Sequence, residues 1–345
     1  MKLGLNLGYW GAGNDAENLE LAREADRLGY SVVWAAEAYG SDAATVLSWV
    51  AAQTERIDVG SAIFQIPGRT PALTAMTAAT LDTLSGGRFR LGLGVSGPQV
   101  SEGWHGVRFD KPLARTREYV RICRDAFARR GPITSDGPFY PLPLADGEGV
   151  TGLGKALKPT LHPVREDIPI HLAAEGPKNI ALSAEIADGW MALFYSPQHE
   201  DLYRPQLAEG FAREGSRRSW ADFEITATVP LIVHDDVEVA ADMIRPMYAL
   251  YFGGMGAKGA NFHADVPVRM GHGDAVRRVQ ELYLEGRKDE AAAAVPTGLV
   301  EQLALIGPEA KIRHDLEAWR DSVVTTLLIG GDAAMVRRAA EIVLG

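Results

Sequence analysis

The sequence predicts a (β/α)8 barrel, the α/β fold in which eight parallel strands are each followed by a helix. Two observations carry this. Short apolar, β-branched runs alternate with amphipathic helical stretches along the chain, and no hairpin turn joins consecutive runs. The alternation also reaches an eighth strand and a last helix at the C-terminal end, which a doubly wound open sheet, the alternative, does not require. The 345 residues exceed the roughly 250 of a plain barrel. The excess falls in two stretches without strand–helix rhythm, about 131–167, following the fourth strand and its helix, and 253–322, following the seventh. The chain 1–345 is read as one domain carrying these two insertions.

Each element has its own signal. Lys2–Leu7 is a first strand, ending at Gly8-Tyr9-Trp10-Gly11. Asn14 or Asp15 caps a helix whose inner stripe is Leu21, Ala22, Ala25 and Leu28, closed by Gly29. Ser31–Ala36 is the second strand, with Glu37, Tyr39 and Asp42 beyond it, and Ala43–Gln53 the next helix. The third strand, Ile57–Phe64, stops at the turn cluster Gln65-Ile66-Pro67-Gly68. Thr70 then caps a helix with Pro71 at its first position, where a missing N–H costs nothing. On this helix Leu73, Met76, Thr77, Thr80, Leu81 and Leu84 share one stripe, and Gly86-Gly87 ends it.

Phe89–Val95 is the fourth strand, leading through Ser96-Gly97-Pro98-Gln99 to Glu102, Trp104 and His105. A long excursion, 97–112, precedes a helix over Leu113–Arg129. The rhythm resumes at Ile168–Leu172, followed by Ala173-Ala174-Glu175-Gly176-Pro177-Lys178 and a helix to Ala187. Gly189–Phe194, a helix over 199–214, and a long seventh strand, Phe223–Val233, come next. Asp235 or Asp236 caps the following helix. The second insertion is mostly helical, including Asp274–Glu285 and Glu309–Trp319. Val323–Ile329 is the eighth strand, and Asp332 caps the last helix.

Composition narrows the function. A hydrophobic content of 46 % with 23 % charged residues is that of a globular protein with a real core. A net charge of −10 without a basic stripe argues against a nucleic-acid binder. It leaves room for one anionic small ligand, held by backbone amides and a single Lys. The lone Cys123 lies in a helical pattern and reads as core. No metal site is expected, because the eight histidines are scattered and no H-x-x-x-H falls on a helix. No apolar run reaches the ~18 residues of a membrane helix, and the N-terminus lacks a signal pattern. A cytoplasmic protein without a membrane partner is the expectation.

Polar residues gather beyond the strands' carboxyl ends, where barrels place their sites. Glu37 and Asp42 lie past the second strand, Glu102 and His105 past the fourth. Any one of them alone is explained by solvation; convergence from two strands makes them candidate proton donors or acceptors. Gly176-Pro177-Lys178 opens a helix and suits a phosphate, with Gly330-Gly331 a second candidate. The Gly92-Leu93-Gly94 pair lies within a strand, and so is not a dinucleotide loop; no G-x-S-x-G elbow occurs.

The stretch 65–106, QIPGRTPALTAMTAATLDTLSGGRFRLGLGVSGPQVSEGWHG, resembles the luciferase-like oxidoreductases that use coenzyme F420, a deazaflavin. The blocks Val33-Trp34 through Asp42, His171–Lys178, Ala187–Trp190, Met255–Phe262 and Leu305–Pro308 extend the resemblance over essentially the whole chain. It implies the luciferase-type barrel, a homodimer, and a ring lying in the mouth against Ser61, Ala62, Ile63 and Gln65. A non-proline cis peptide is implied there, at Ser61–Ala62 or Ala62–Ile63. The phosphate of the cofactor falls on Ala174, Glu175, Gly176, Pro177 and Lys178, and near Phe194 to Ser196. Glu37, Asp42 and Glu102 resemble the family's polar residues around the ring and substrate, and one of these or His105 is the expected proton partner.

Two departures, Ala38 where some relatives carry His and Ser196 where some carry Lys, argue against a sugar-phosphate dehydrogenase. Trp10, Tyr39, Phe64, Trp104 and Phe194 point to an apolar mouth. The expected activity is hydride transfer between C5 of F420 and a small organic substrate. An FMN-dependent monooxygenase of the same superfamily, or a non-catalytic deazaflavin-binding protein, are the alternatives.

Overall fold

A computed structural model of the chain describes residues 1–8, 10, 15–256 and 261–345. Tyr9, Gly11, the Asn14 cap and part of the 255–262 block lie outside these residues. Nine parallel strands close the barrel: β1 (Lys2–Asn6), β2 (Val32–Ala35), β3 (Asp58–Ser61), β4 (Phe64–Gln65), β5 (Phe89–Gly94), β6 (Ile170–Ala173), β7 (Gly189–Ala192), β8 (Glu224–Thr228) and, after two strands outside it, β11 (Thr326–Ile329). The sheet runs β3-β2-β1-β11-β8-β7-β6-β5-β4, and pairing of β3 with β5 completes the ring. β3 and β4 together form one station, so the barrel has eight, as the alternation predicts.

The third strand is not continuous. The Ala62–Ile63 peptide is cis, and it separates β3 from β4. Neighbouring β5 makes room for the break by carrying glycine. A Cβ on Gly92 would sit 1.8 Å from the Ser61 carbonyl oxygen, and one on Gly94 would sit 2.4 Å from Ile63 Cδ1. Ser61 locks the seam: its hydroxyl donates to Gly92 O at 2.8 Å and accepts from Gly92 N at 3.0 Å.

The helices between the stations pack on the outer faces of the strands. They are α1 (Asp15–Leu28), α2 (Ala43–Ala51) and α3 (Pro71–Leu84); α4 (Pro98–Gly103), which lies inside the 97–112 excursion; and α5 (Pro112–Ala128), α6 (Pro177–Ile186) and α7 (Arg204–Phe211). Thr70 caps α3 as expected, accepting from Leu73 N. Of the expected stripe, Leu81 alone belongs to its buried face, however. Pro71, Thr74, Ala75, Ala78, Ala79, Leu81 and Asp82 face inward, while Leu73, Met76 and Leu84 are exposed by 47 %, 63 % and 64 %. Small side chains let α3 lie close to α5, and the larger ones are left on the outside. Cys123 is buried on α5, where its thiol meets Pro71 O.

The expected long seventh strand also divides. β8 stays in the barrel, and after Val229-Pro230 the chain leaves it as β9 (Leu231–Val233). Proline cannot donate to a ladder, so the barrel pairing stops there. β9 pairs in parallel with β10 (Leu305–Gly307), which lies in the second insertion. Between the two strands run α8 (Val237–Asp242), capped by Asp236, and α9 (Arg245–Ala249), then, within the insertion, α10 (Phe262–Pro267), α11 (Gly273–Leu284), α12 (Lys288–Ala293) and α13 (Thr297–Leu303), with α14 (Glu309–Asp321) after β10. α15 (Ala333–Val343) closes the chain, capped by Asp332.

Inside the barrel, glycines again create space for large side chains. A Cβ on Gly60 would strike the Trp34 ring at 2.3 Å, and one on Gly189 would strike His171 Nδ1 at 2.3 Å. Trp34 and His171 meet edge to face at 5.3 Å. Arg90 joins Asp58 at 2.7 Å and Glu224 at 2.6 Å, and the Thr326 hydroxyl donates to Glu224 at 2.7 Å. Burial opposes the ionisation of Glu224, but Arg90 and these hydrogen bonds outweigh it and hold the carboxyl at about 2. Burial holds His171 neutral, lowering it to about 4.

Two outcomes follow from this packing. Gly92→Ala drives a methyl into a backbone oxygen and should cost at least about 3 kcal/mol, the upper end of ordinary overpacking. Gly103→Ala, where nothing lies within 4 Å, should be near neutral; equal denaturation midpoints for the two would contradict the account. Acid stability has a definite sign. The unfolded chain binds protons on His171 and Glu224 at higher pH than the folded one, so stability falls as pH drops from the ordinary imidazole range to about 4, and again from the ordinary glutamate range toward 2. Glu224 supplies about 3 kcal/mol at neutral pH, so Glu224→Gln should lower stability at pH 7 and flatten the acid limb in denaturant titrations at pH 7 and pH 3.

Candidate active site

One cavity of about 680 Å³ opens at the carboxyl ends of the strands, within the range of small-molecule sites. All eight stations contribute: Asn6, Glu37, Ile63 with Gln65, Gly94, Ala173, Met191, Thr226 with Thr228, and Leu328. Its floor is apolar. Met191, Leu328 and Trp34 pack together with Ala62, Ile63 and Ala173 in a cluster of their own at the top of the barrel interior.

One corner of the mouth is polar. Glu37 lines the cavity, and each of its oxygens is held: Oε2 accepts from Gln65 N at 3.1 Å, and Oε1 from Arg69 at 2.8 Å. Arg69 also pairs with Asp42 and lies over the Phe64 ring, 4.6 Å from its centroid. Asp42 itself does not line the cavity. It caps α2, accepting from Thr45 N at 2.9 Å. Burial raises its pKa, but the Thr45 contacts and Arg69 prevail and hold it below the usual carboxylate range.

The two candidates beyond β5 are likewise turned to other tasks. Glu102 is exposed and outside the cavity, where it accepts from Phe109 N at 3.1 Å and ties the loop after α4. His105 lies behind the wall, with Nε2 2.6 Å from Gln65 Oε1. The expectation that all four groups face the mouth therefore holds for Glu37 alone. Sequence position put them beyond the right strands, but side-chain direction was set by caps and loop contacts.

The opposite corner is the start of α6. Ala174, Glu175, Gly176, Pro177 and Lys178 line the cavity, and open space surrounds the Cβ position of Gly176. Trp190 Nε1 donates to Ala174 O at 2.7 Å and fixes the loop. The second insertion completes the wall: Glu175 Oε1 meets His263 Nδ1 at 2.7 Å, and Arg269 donates to Glu175 O at 2.6 Å. Asn261, which caps α10, falls in the 255–262 block of the resemblance, whereas His263 and Arg269 had no sequence signal, because the insertion lacks barrel periodicity. Gly330 and Gly331 do not line the cavity.

Other expected contacts lie outside it. Ser61 sits in the β3–β5 seam. Phe194 is buried behind the wall, against Tyr248, Tyr251, Phe252 and His263. Ser196 is buried, whereas Ala38 lines the cavity without a polar side chain. The mouth is apolar, but of the five aromatics expected there only Tyr39 lines it. Val100, Phe109, Leu113, Tyr251 and Phe262 make the rest, with the Phe109 and Phe262 rings 6.3 Å apart across the opening.

An eight-station barrel with a large cleft over a broken third strand, an apolar floor and a helix N-terminus in its wall defines a class of small-molecule enzymes built at the carboxyl face. Comparison with known proteins gives the family. The luciferase-like monooxygenase family model matches residues 8–326, and the chain belongs to that family. It is 53 % identical over 344 residues, covering 99 % of each chain, to a Mycobacterium tuberculosis protein provisionally named a coenzyme F420-dependent oxidoreductase. In fold it is similar to the coenzyme F420-dependent tetrahydromethanopterin reductase of Methanopyrus kandleri, with a TM-score of 0.81 at 20 % identity over 99 % of this chain and 98 % of that one. It is also similar to an F420-dependent secondary alcohol dehydrogenase, with a TM-score of 0.77 at 16 % identity and the same coverage.

Proposed function

We propose that this protein is an F420-dependent oxidoreductase that moves a hydride between the deazaflavin and a small, apolar organic substrate. The observation that carries the reading is one apolar floor joining two polar corners, the start of α6 and Glu37. A flat ring suits Ile63, Met191 and Leu328, and a phosphate suits the N–H groups and positive dipole end at Gly176–Lys178. The extensive identity to a relative named for F420 supports the same cofactor. When bound, a deazaflavin gives or takes a hydride at C5. The chain supplies the rest: the floor orients the ring, Phe109 and Phe262 exclude water from the mouth, and Glu37 exchanges the substrate's hydroxyl proton at Oε1 or Oε2. Asp42 serves this step through Arg69, and Glu102 through the Phe109 loop.

A cytoplasmic homodimer belongs to this reading. No helix among the described residues is long and apolar enough to cross a membrane. The outer stripe of α3, with Trp49 of α2 exposed by 48 % beside it, suits a second copy of the chain. Sedimentation at micromolar concentration should return a dimer; a 37.2 kDa species would remove that assignment.

Titration of the apoprotein with F420 and with FMN, followed by fluorescence, tests the cofactor. Micromolar or tighter binding of F420 alone is expected, and preference for FMN would move the reading to oxygen chemistry. Glu37→Gln should bind F420 within about threefold of wild type yet lose about 100-fold or more in single-turnover hydride transfer, the usual share of a general acid or base. An unchanged rate would take Glu37 out of the mechanism.

A further inference from the structure

Gln65 is the residue immediately after the break in the third station. The residue is 3 % exposed and lines the cavity, and among the described residues its side chain is held at one end only. Oε1 lies 2.6 Å from His105 Nε2. An amide oxygen has no hydrogen to give, so the hydrogen in this contact belongs to the imidazole, which carries it on Nε2. That leaves the amide NH2, with its two hydrogens, as the end available to the cavity. The backbone of Gln65 is fixed as well, since its N–H donates to Glu37 at 3.1 Å.

The imidazole has a seat made for it. A Cβ at Gly68 would come within 2.8 Å of His105 Cε1, so the turn after β4 admits the ring only because residue 68 has no side chain. The His105 backbone is tied to its own loop by donation to Val100 O at 3.1 Å. A ring wedged in this way cannot easily release the amide it holds.

We propose that His105 is a positioning residue: it fixes the Gln65 amide with NH2 toward the cavity, and Gln65 donates that hydrogen bond to an sp² oxygen of the bound ligand. The oxygen belongs either to a carbonyl of the cofactor ring or to the carbonyl of the substrate. This rests on the oxidoreductase reading above. Glu37 and Gln65 then divide the polar corner between an acceptor and a donor, side by side above the floor. A carbonyl oxygen docked there accepts a hydrogen from Gln65 and is thereby oriented before any proton moves to or from the neighbouring Glu37 carboxyl group.

The test has a ligand-free arm. The 15N shifts of His105 in the apoprotein should report Nε2–H; an Nδ1–H ring with bare Nε2 would mean that the amide is reversed and would overturn the proposal. In the second arm, Gln65→Glu and His105→Phe are compared with His105→Gln, whose amide can still donate to Gln65. Gln65→Glu should weaken ligand interaction at least tenfold and His105→Phe three- to tenfold, with His105→Gln restored to within about threefold of wild type. A loss in the F420 dissociation constant assigns the oxygen to the ring, and a loss in substrate KM with unchanged F420 binding assigns it to the substrate. Wild-type behaviour of folded His105→Phe in both readouts would overturn the proposal. Wild-type failure to bind F420 would sink the cofactor reading instead, and the tautomer measurement would then decide this one.

Discussion

The structure depends on a steric exchange between neighbouring strands. β5 gives up side chains at Gly92 and Gly94, and the space lets the third station break and push Ala62 and Ile63 up into the mouth. Everything in the site is placed relative to that break. Ile63 becomes part of the floor, Gln65 emerges at the polar corner, and the turn after it brings Arg69 under Glu37. The same exchange is repeated lower down, where Gly60 and Gly189 yield to Trp34 and His171. Close packing leaves no slack for such bulges, so each one must be matched by an absence opposite.

This explains which features could be read from the sequence. The eight-fold alternation and most caps were legible, because strand and helix periods and N-cap chemistry are local. Thr70, Asp236 and Asp332 cap the helices they were expected to cap. The glycines of β5 looked like a failed nucleotide loop, because their purpose lies on a strand some 31 positions away. On α3, apolarity pointed to one stripe, but fit against α5 and β5 selected the face of small residues instead. Pro230 carried a local signal that the long seventh strand overran.

The site was legible in kind more than in direction. Reading acids and a histidine beyond β2 and β5 found the right loops, yet Asp42 is spent on a helix N-terminus and Glu102 on a backbone N–H. Such carboxylates satisfy donors that would otherwise be left unpaired. The contacts of His263 and Arg269 were invisible, since they reach the α6 loop from 88 and 94 positions along the chain.

The pairing of charges at the mouth resolves an apparent conflict. An acidic chain with two carboxylates in its cavity wall is an unpromising host for an anionic ligand. Each has a partner, though: Glu37 is compensated by the Arg69 guanidinium, and Glu175 Oε1 meets His263 Nδ1. Both partnerships are short and sheltered, so they are screened less by salt than exposed pairs are. With Glu37 balanced at close range and Glu175 held by the His263 ring, the α6 terminus offers an anion its own dipole and Lys178. Setting Glu37 beside a fixed cation lets the wall keep an acceptor for chemistry at one corner without repelling an anion from the other.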